Sequence, residues 1–254
     1  MDGTRVDLRT ADGVMDTSVC QPEGKGPWPA VILYMDAMGV RPDMTTMAQR
    51  LASHGYVVLL PNLFYRSGPL PPVDPAAFVK GGPERDRVMA LIRSINHEMV
   101  MRDTAAVLDY IDTKTPARGR IGTVGYCMGG GYALSAAGTY PDRVGAAASF
   151  HGGALATDRP DSPHLLAPNV RARLYIGVAA IDPMFPDEER ERLRHALTDA
   201  GVSFTLEVYP DVRHGFSVTG HPVYDRDASE RHWTELVRLF DETLTGDLKV
   251  SSYR

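Results

Sequence analysis

The chain contains almost no cysteine, only Cys20 and Cys127 among 254 residues. That number excludes a disulfide framework and points to a reducing compartment, the cytoplasm, with both thiols free. Long apolar runs are also missing; none approaches the roughly 18 residues of a membrane helix. The opening MDGTRVDLRTADG is acidic and lacks the apolar stretch of a secretory signal. There is no excess of positive charge: the net charge is -5, which argues against nucleic acid as a partner. C-x-x-C, H-E-x-x-H and a G-x-G-x-x-G after the first strand are absent. The glycines of GYCMGGGY have no lysine to make a phosphate loop. Neither a metal nor a cofactor is therefore expected. What remains is an ordinary globular composition, 43% hydrophobic and 23% charged. No shift in composition divides it, so residues 1–254 read as one domain.

VDLRT (6–10) and VMDTSV (14–19) alternate around Ala11-Asp12-Gly13 and predict an antiparallel hairpin. PAVILYM (29–35), YVVLLP (56–61), RIGTVGY (120–126), VGAAASF (144–150), RARLYIGV (171–178) and SFTLEVY (203–209) are strand-like, the first three as continuous apolar runs. Helical spacing covers 41–54, 84–112 with a break near Asn96, 128–139, 186–200 and 225–244. Five prolines make 62–83 an irregular loop. A hairpin followed by strand–helix units predicts an α/β fold: one doubly wound, mostly parallel sheet with helices on both faces. The site of such a sheet lies at the carboxyl ends of its strands.

One of those ends reads Gly125-Tyr126-Cys127-Met128-Gly129. A strand turning sharply into a helix holds its turn residue out above the sheet edge. Strand and helix can come that close only if positions two before and two after are small, as here. The helix dipole beyond Cys127 favours a thiolate. Cys20, beside a loop at the end of a hairpin strand, has no such context.

A thiol nucleophile needs a base, and the base an orienting carboxylate. In this fold they follow in the order nucleophile, acid, histidine. Asp182, in GVAAIDPMFP, and His214, in PDVRHGF, each come just past a strand. Asp187 and Asp211 are rivals for the acid. His151, in FHGG, either lines the pocket or packs beside its two glycines. Two backbone N–H groups must hold the oxyanion: Met128 follows the nucleophile, and Ala37 stands in the loop after PAVILYM.

At these residues the chain resembles the dienelactone hydrolase family of α/β-hydrolases. The likeness rests on GYCMGGGYAL, PNLFYRSGP, IDPMFP and RHGF and covers nearly the whole chain. It implies a Cys127–His214–Asp182 triad that hydrolyses a small ester or lactone, with no cofactor, in a monomer or small homo-oligomer. In the family a glutamate after the first core strand contacts the resting thiol; Asp36 stands there. An arginine four residues after the histidine binds the substrate carboxylate in the dienelactone enzyme; here that position is Val218. Arg85, Arg87 or Arg66 is expected to substitute. Two other readings stay open: a carboxylesterase or thioesterase for an uncharged substrate, and a hydrolase fold retained as a binding protein.

Overall fold

In the computed structural model, which describes residues 3–245, strands lie in the order β1-β2-β4-β3-β5-β6-β7-β8. The hairpin is β1 (Thr4–Thr10) and β2 (Gly13–Cys20), and β2 continues antiparallel onto β4 (Val57–Pro61). Every other pairing is parallel, through β3 (Ala30–Tyr34), β5 (Ile121–Tyr126), β6 (Val144–Phe150), β7 (Arg173–Ile181) and β8 (Phe204–Arg213). Strands β3 to β6 are buried along their full length. Their continuous apolar sequences require cover on both faces, which the crossover helices provide. No helix among the described residues is long and apolar enough to cross a membrane.

Helix α1 (Pro42–Ser53) buries Met44, Met47, Ala48 and Leu51, the stripe its spacing predicts. The helical stretch expected over 84–112 is two helices, α3 (Pro83–Arg93) and α4 (His97–Lys114). Between them the Asn96 side chain accepts a hydrogen bond from Met99 N and caps the second. The small residues of α5 (Met128–Thr139) leave Gly129 to Gly138 buried between β5 and β6. Helices α6 (Asp187–Asp199) and α7 (Arg226–Leu244) follow the last two strands.

The segment 62–83 is more ordered than its prolines suggest. It holds a single 3-10 turn, Tyr65–Ser67, and α2 (Pro75–Lys80). Asp74 caps α2 by accepting from Ala76 N, and Pro75 occupies the first turn, where a missing N–H costs nothing. The chain runs outward from β3 to β4 and then returns to β5. The loops leaving β3 and β5 therefore diverge from adjacent strand ends, the crevice in which open α/β sheets bind ligands.

Candidate active site

Cys127 occupies that crevice. It joins β5 to α5 with φ 54° and ψ −118°, a conformation that costs a non-glycine residue about 1–3 kcal/mol and recurs at functional sites. The turn closes only because its flanks lack side chains. A Cβ on Gly125 would lie 1.9 Å from the Gly129 carbonyl oxygen, and one on Gly129 would lie 2.4 Å from that of Tyr34. Gly129→Ala is therefore expected to force α5 away from β3. A loss of about 3 kcal/mol, the upper end of what overpacking typically costs, corresponds to about 10 °C in Tm for a chain of this size. A thermal melt that matched the wild type would show the turn can open without cost.

Asp182 directly follows β7, and His214 directly follows β8. His214 Nδ1 donates to both carboxylate oxygens of Asp182, at 3.0 and 2.9 Å. Met184 N also donates to Asp182, at 2.9 Å, so the acid is buried but satisfied. The opposite ring nitrogen, Nε2, is buried, and besides Asp182 the side chain that acts on the ring as a hydrogen-bond partner is that of Cys127. Burial pushes the His214 imidazole down, but the charge of Cys127 and the Asp182 carboxylate outweigh it and lift its pKa to about 10. Asp187 instead pairs with Arg190, and Asp211 lies within β8 with φ 59°; neither bonds to His214.

The two expected N–H donors come from neighbouring chain segments. Met128 heads α5, so its N–H has no intrahelical acceptor. In the loop leaving β3, Gly39 N bonds to the Asp36 carbonyl at 3.1 Å and Met38 N to the Asp36 carboxylate at 2.9 Å. The Ala37 N–H has no acceptor among the described residues. Since Gly129 abuts the carbonyls of Tyr34 and Met35, the head of α5 and the start of this loop lie side by side.

Asp36, one methylene shorter than the family's glutamate, is engaged by other partners. Its carboxylate receives both terminal nitrogens of the buried Arg41, at 2.6 and 2.7 Å, besides Met38 N, and makes no hydrogen bond to Cys127. Two of the candidate arginines have other partners, and the third is exposed. Arg87 bonds to Glu84 and to the Pro71 carbonyl, Arg66 pairs with Asp12 and Asp103, and Arg85 is exposed on α3. His151 is fully buried with φ 38°. Its Nε2 is 2.9 Å from Ser217 Oγ, and its ring stands edge-on to His214 with centroids 5.1 Å apart. Burial, followed by the neighbouring His214, holds it well below the usual histidine range, so it is an uncharged wall beside His214.

Apolar side chains form the other wall. Ala37, Met38, Val73 and Val88 make a buried cluster on which Phe78, Ile92, Cys127 and Met128 pack. The 62–83 segment and α3 thus lie over the thiol. Sequence reasoning missed Arg41, Ser217 and this cluster. The signals were faint: a lone arginine in DAMGVR, and apolar residues scattered through a proline-rich stretch.

The sequence model of the dienelactone hydrolase family matches residues 15–244. Carboxymethylenebutenolidase from Pseudomonas putida is 25% identical over 227 residues, covering 88% of this chain and 90% of that protein. Two solved structures share the fold. One, from Klebsiella pneumoniae and titled "Putative Dienelactone Hydrolase", has a TM-score of 0.82 at 21% identity, covering 94% of this chain and 97% of that one. The other, a dienelactone hydrolase-like promiscuous phosphotriesterase from metagenomic libraries, has a TM-score of 0.73 at 24% identity, covering 96% and 99%. With nine-tenths of its length inside the family's sequence pattern, the chain belongs to the dienelactone hydrolase family.

Proposed function

We propose that the protein hydrolyses a small ester or lactone whose acyl side is uncharged, with Cys127 as nucleophile. The observation that carries this reading is the strained Cys127 turn beside a histidine whose far nitrogen is bonded to a buried aspartate. The apolar cluster around the thiol supports the substrate class. A substrate carboxylate would meet Val73, Phe78, Val88 and Ile92 there, and burying an unpaired charge among them is costly.

In this mechanism the Cys127 thiolate attacks the carbonyl carbon, and the electron pair of the C=O bond moves to oxygen. The N–H groups of Met128 and Ala37 receive that oxyanion, each worth about 3 kcal/mol in the transition state. The adduct collapses by breaking the C–O bond. His214 Nε2–H gives its proton to the departing alkoxide, leaving a thioester and a neutral imidazole. His214 then takes a proton from water as the hydroxide adds to the thioester carbonyl. The second adduct expels the thiolate, which restores the ion pair and releases the acid. Asp182 holds His214 with Nε2 facing the reaction and stabilises its charged form.

The test is kcat/KM on a neutral aryl ester and on dienelactone, each before and after complete alkylation by iodoacetamide. The neutral ester is expected to be turned over at least as well, and both activities are expected to vanish on alkylation. Turnover surviving alkylation removes Cys127 from the mechanism. A hundredfold preference for dienelactone would mean that a cation reaches the acyl site, and the uncharged substrate class falls.

A further inference from the structure

The buried ion pair of Asp36 and Arg41 has no part in the chemistry above, yet it spans the loop that carries one of the oxyanion donors. We infer that the pair positions the Ala37 N–H, making Arg41 a positioning residue for acyl transfer; this rests on the function proposed above.

The geometry is that of a clamp. Asp36 is the second residue after β3, and Arg41 is the last before α1. Their side chains meet end to end through two parallel hydrogen bonds, at 2.6 and 2.7 Å, so residues 37–40 are tied at both ends. The same groups also hold the loop's interior. Asp36 Oδ1 accepts from Met38 N, and Arg41 donates to the Gly39 carbonyl at 3.3 Å. Met38 and Gly39 have their N–H groups taken up within the loop, and Ala37 does not. Its donor is thereby kept free and fixed in direction, as transition-state stabilisation requires.

The clamp also rests against the loop of the base. Arg41 Nε is 3.6 Å from Asp43. A Cβ on Gly220 would lie 2.8 Å from the Asp43 carboxylate, and one on Gly215, next to His214, would lie 2.7 Å from the His221 ring. Asp36 raises the His221 pKa and Arg41 lowers it, though burial is the larger influence on that ring. The oxyanion loop and the segment that carries His214 are therefore packed through one polar cluster. A buried ion pair is weak as a stabilising device, since desolvation consumes most of its Coulomb energy. Its planar, two-point geometry is instead suited to fixing direction, which lysine cannot reproduce with a single point charge.

The experiment compares two reactions of the same thiol. Hydrolysis of p-nitrophenyl acetate needs an oxyanion hole, whereas alkylation by iodoacetamide displaces iodide and forms no oxyanion. Arg41→Lys is expected to lower kcat by about 10- to 100-fold, with KM within about twofold and the alkylation rate unchanged. The double variant Asp36→Asn/Arg41→Gln leaves no unpaired charge, so it serves if the single variant does not fold. The same split is expected in it. Wild-type kcat in either folded variant overturns the inference. So does alkylation that slows in step with kcat, because that marks a general disturbance of the site. Cys127→Ala serves as the control for the underlying reading. If it hydrolyses the ester like the wild type, both that reading and this inference are overturned. If it is inactive, the reading stands and the Arg41 variants decide alone.

Discussion

Cys127→Ala is expected to lower kcat on a neutral ester by about 10⁴- to 10⁶-fold, the range for loss of a nucleophile whose partners act as a unit. The fold should be indifferent to the change. Alanine keeps the Cβ, so the strained φ of 54° is as costly as before, and the Sγ removed is only half-buried. Residual turnover would come from binding and from the Met128 and Ala37 donors acting on water. The variant should also change its neighbour. The charge of Cys127 is the largest influence raising the His214 pKa, so without it the imidazole should titrate well below its present value of about 10. Burial, the largest influence pushing His214 down, is then opposed chiefly by Asp182. NMR titration of the His214 ring in both proteins would measure the difference. Turnover within tenfold of wild type, or an unmoved His214, would remove the thiolate–imidazolium pair from the account.

Acid is expected to unfold the protein from below about pH 6.5. Burial holds His97 down to about 4 and His232 to about 3, and it pushes the fully buried His151 well below the usual range. Each stays neutral in the fold, while in the unfolded chain each takes a proton near pH 6.5. The unfolded state therefore binds more protons below that pH, and stability falls as pH falls. The loss per group is about 1.4 kcal/mol for each pH unit until the folded pKa is reached. Three such groups cost about 4 kcal/mol per unit together, against a total stability of about 5–15 kcal/mol. The shift of His214 has the opposite sign and acts only above pH 6.5, where the folded ring keeps a proton that the unfolded one loses. Below that pH it is charged in both states and adds no slope. Urea midpoints between pH 7 and 4.5 test this; a flat profile from 6.5 to 5 would mean these histidines are protonated in the fold.

Much of this architecture can be read in the sequence, for physical reasons that differ by element. Strands β3, β5 and β6 are covered on both faces, so their apolar runs are continuous and mark the strands within a residue. Strands β7 and β8 run three and four residues beyond their apolar sequences. Beyond Ala179 the register shifts and pairing resumes at Ile181 with Arg213, where side chains are exposed and no hydrophobic pattern is required. Pro210 reads as a stop but is tolerated, since β8 is an edge strand paired only with β7. Helix α2 is hidden because the same prolines that mark a loop can also begin a helix. At the site, the glycines around Cys127 are legible because close backbone approach allows no other residue. The Asp36–Arg41 pair is not legible, for a different reason. A side chain that turns back five residues to meet Arg41 follows no strand or helix period, so spacing gives no sign of the pair. Charge alone makes Arg87 a candidate, and Glu84, one turn before it on the same helix, is the sequence sign of the ion pair it forms.

The order of the three site residues along the chain also bears on how the protein is made. Cys127 leaves the ribosome roughly ninety residues before His214, a delay of about 5 to 20 s at the usual 5–20 residues per second. Through that interval the proposed nucleophile has been made and the proposed base has not. Asp182 and His214 arrive on the last two strands, and β8 can dock only on β7, at the sheet's outer edge. If Cys127, Asp182 and His214 act together as proposed, hydrolytic competence is withheld until β8 has been made and docked on β7.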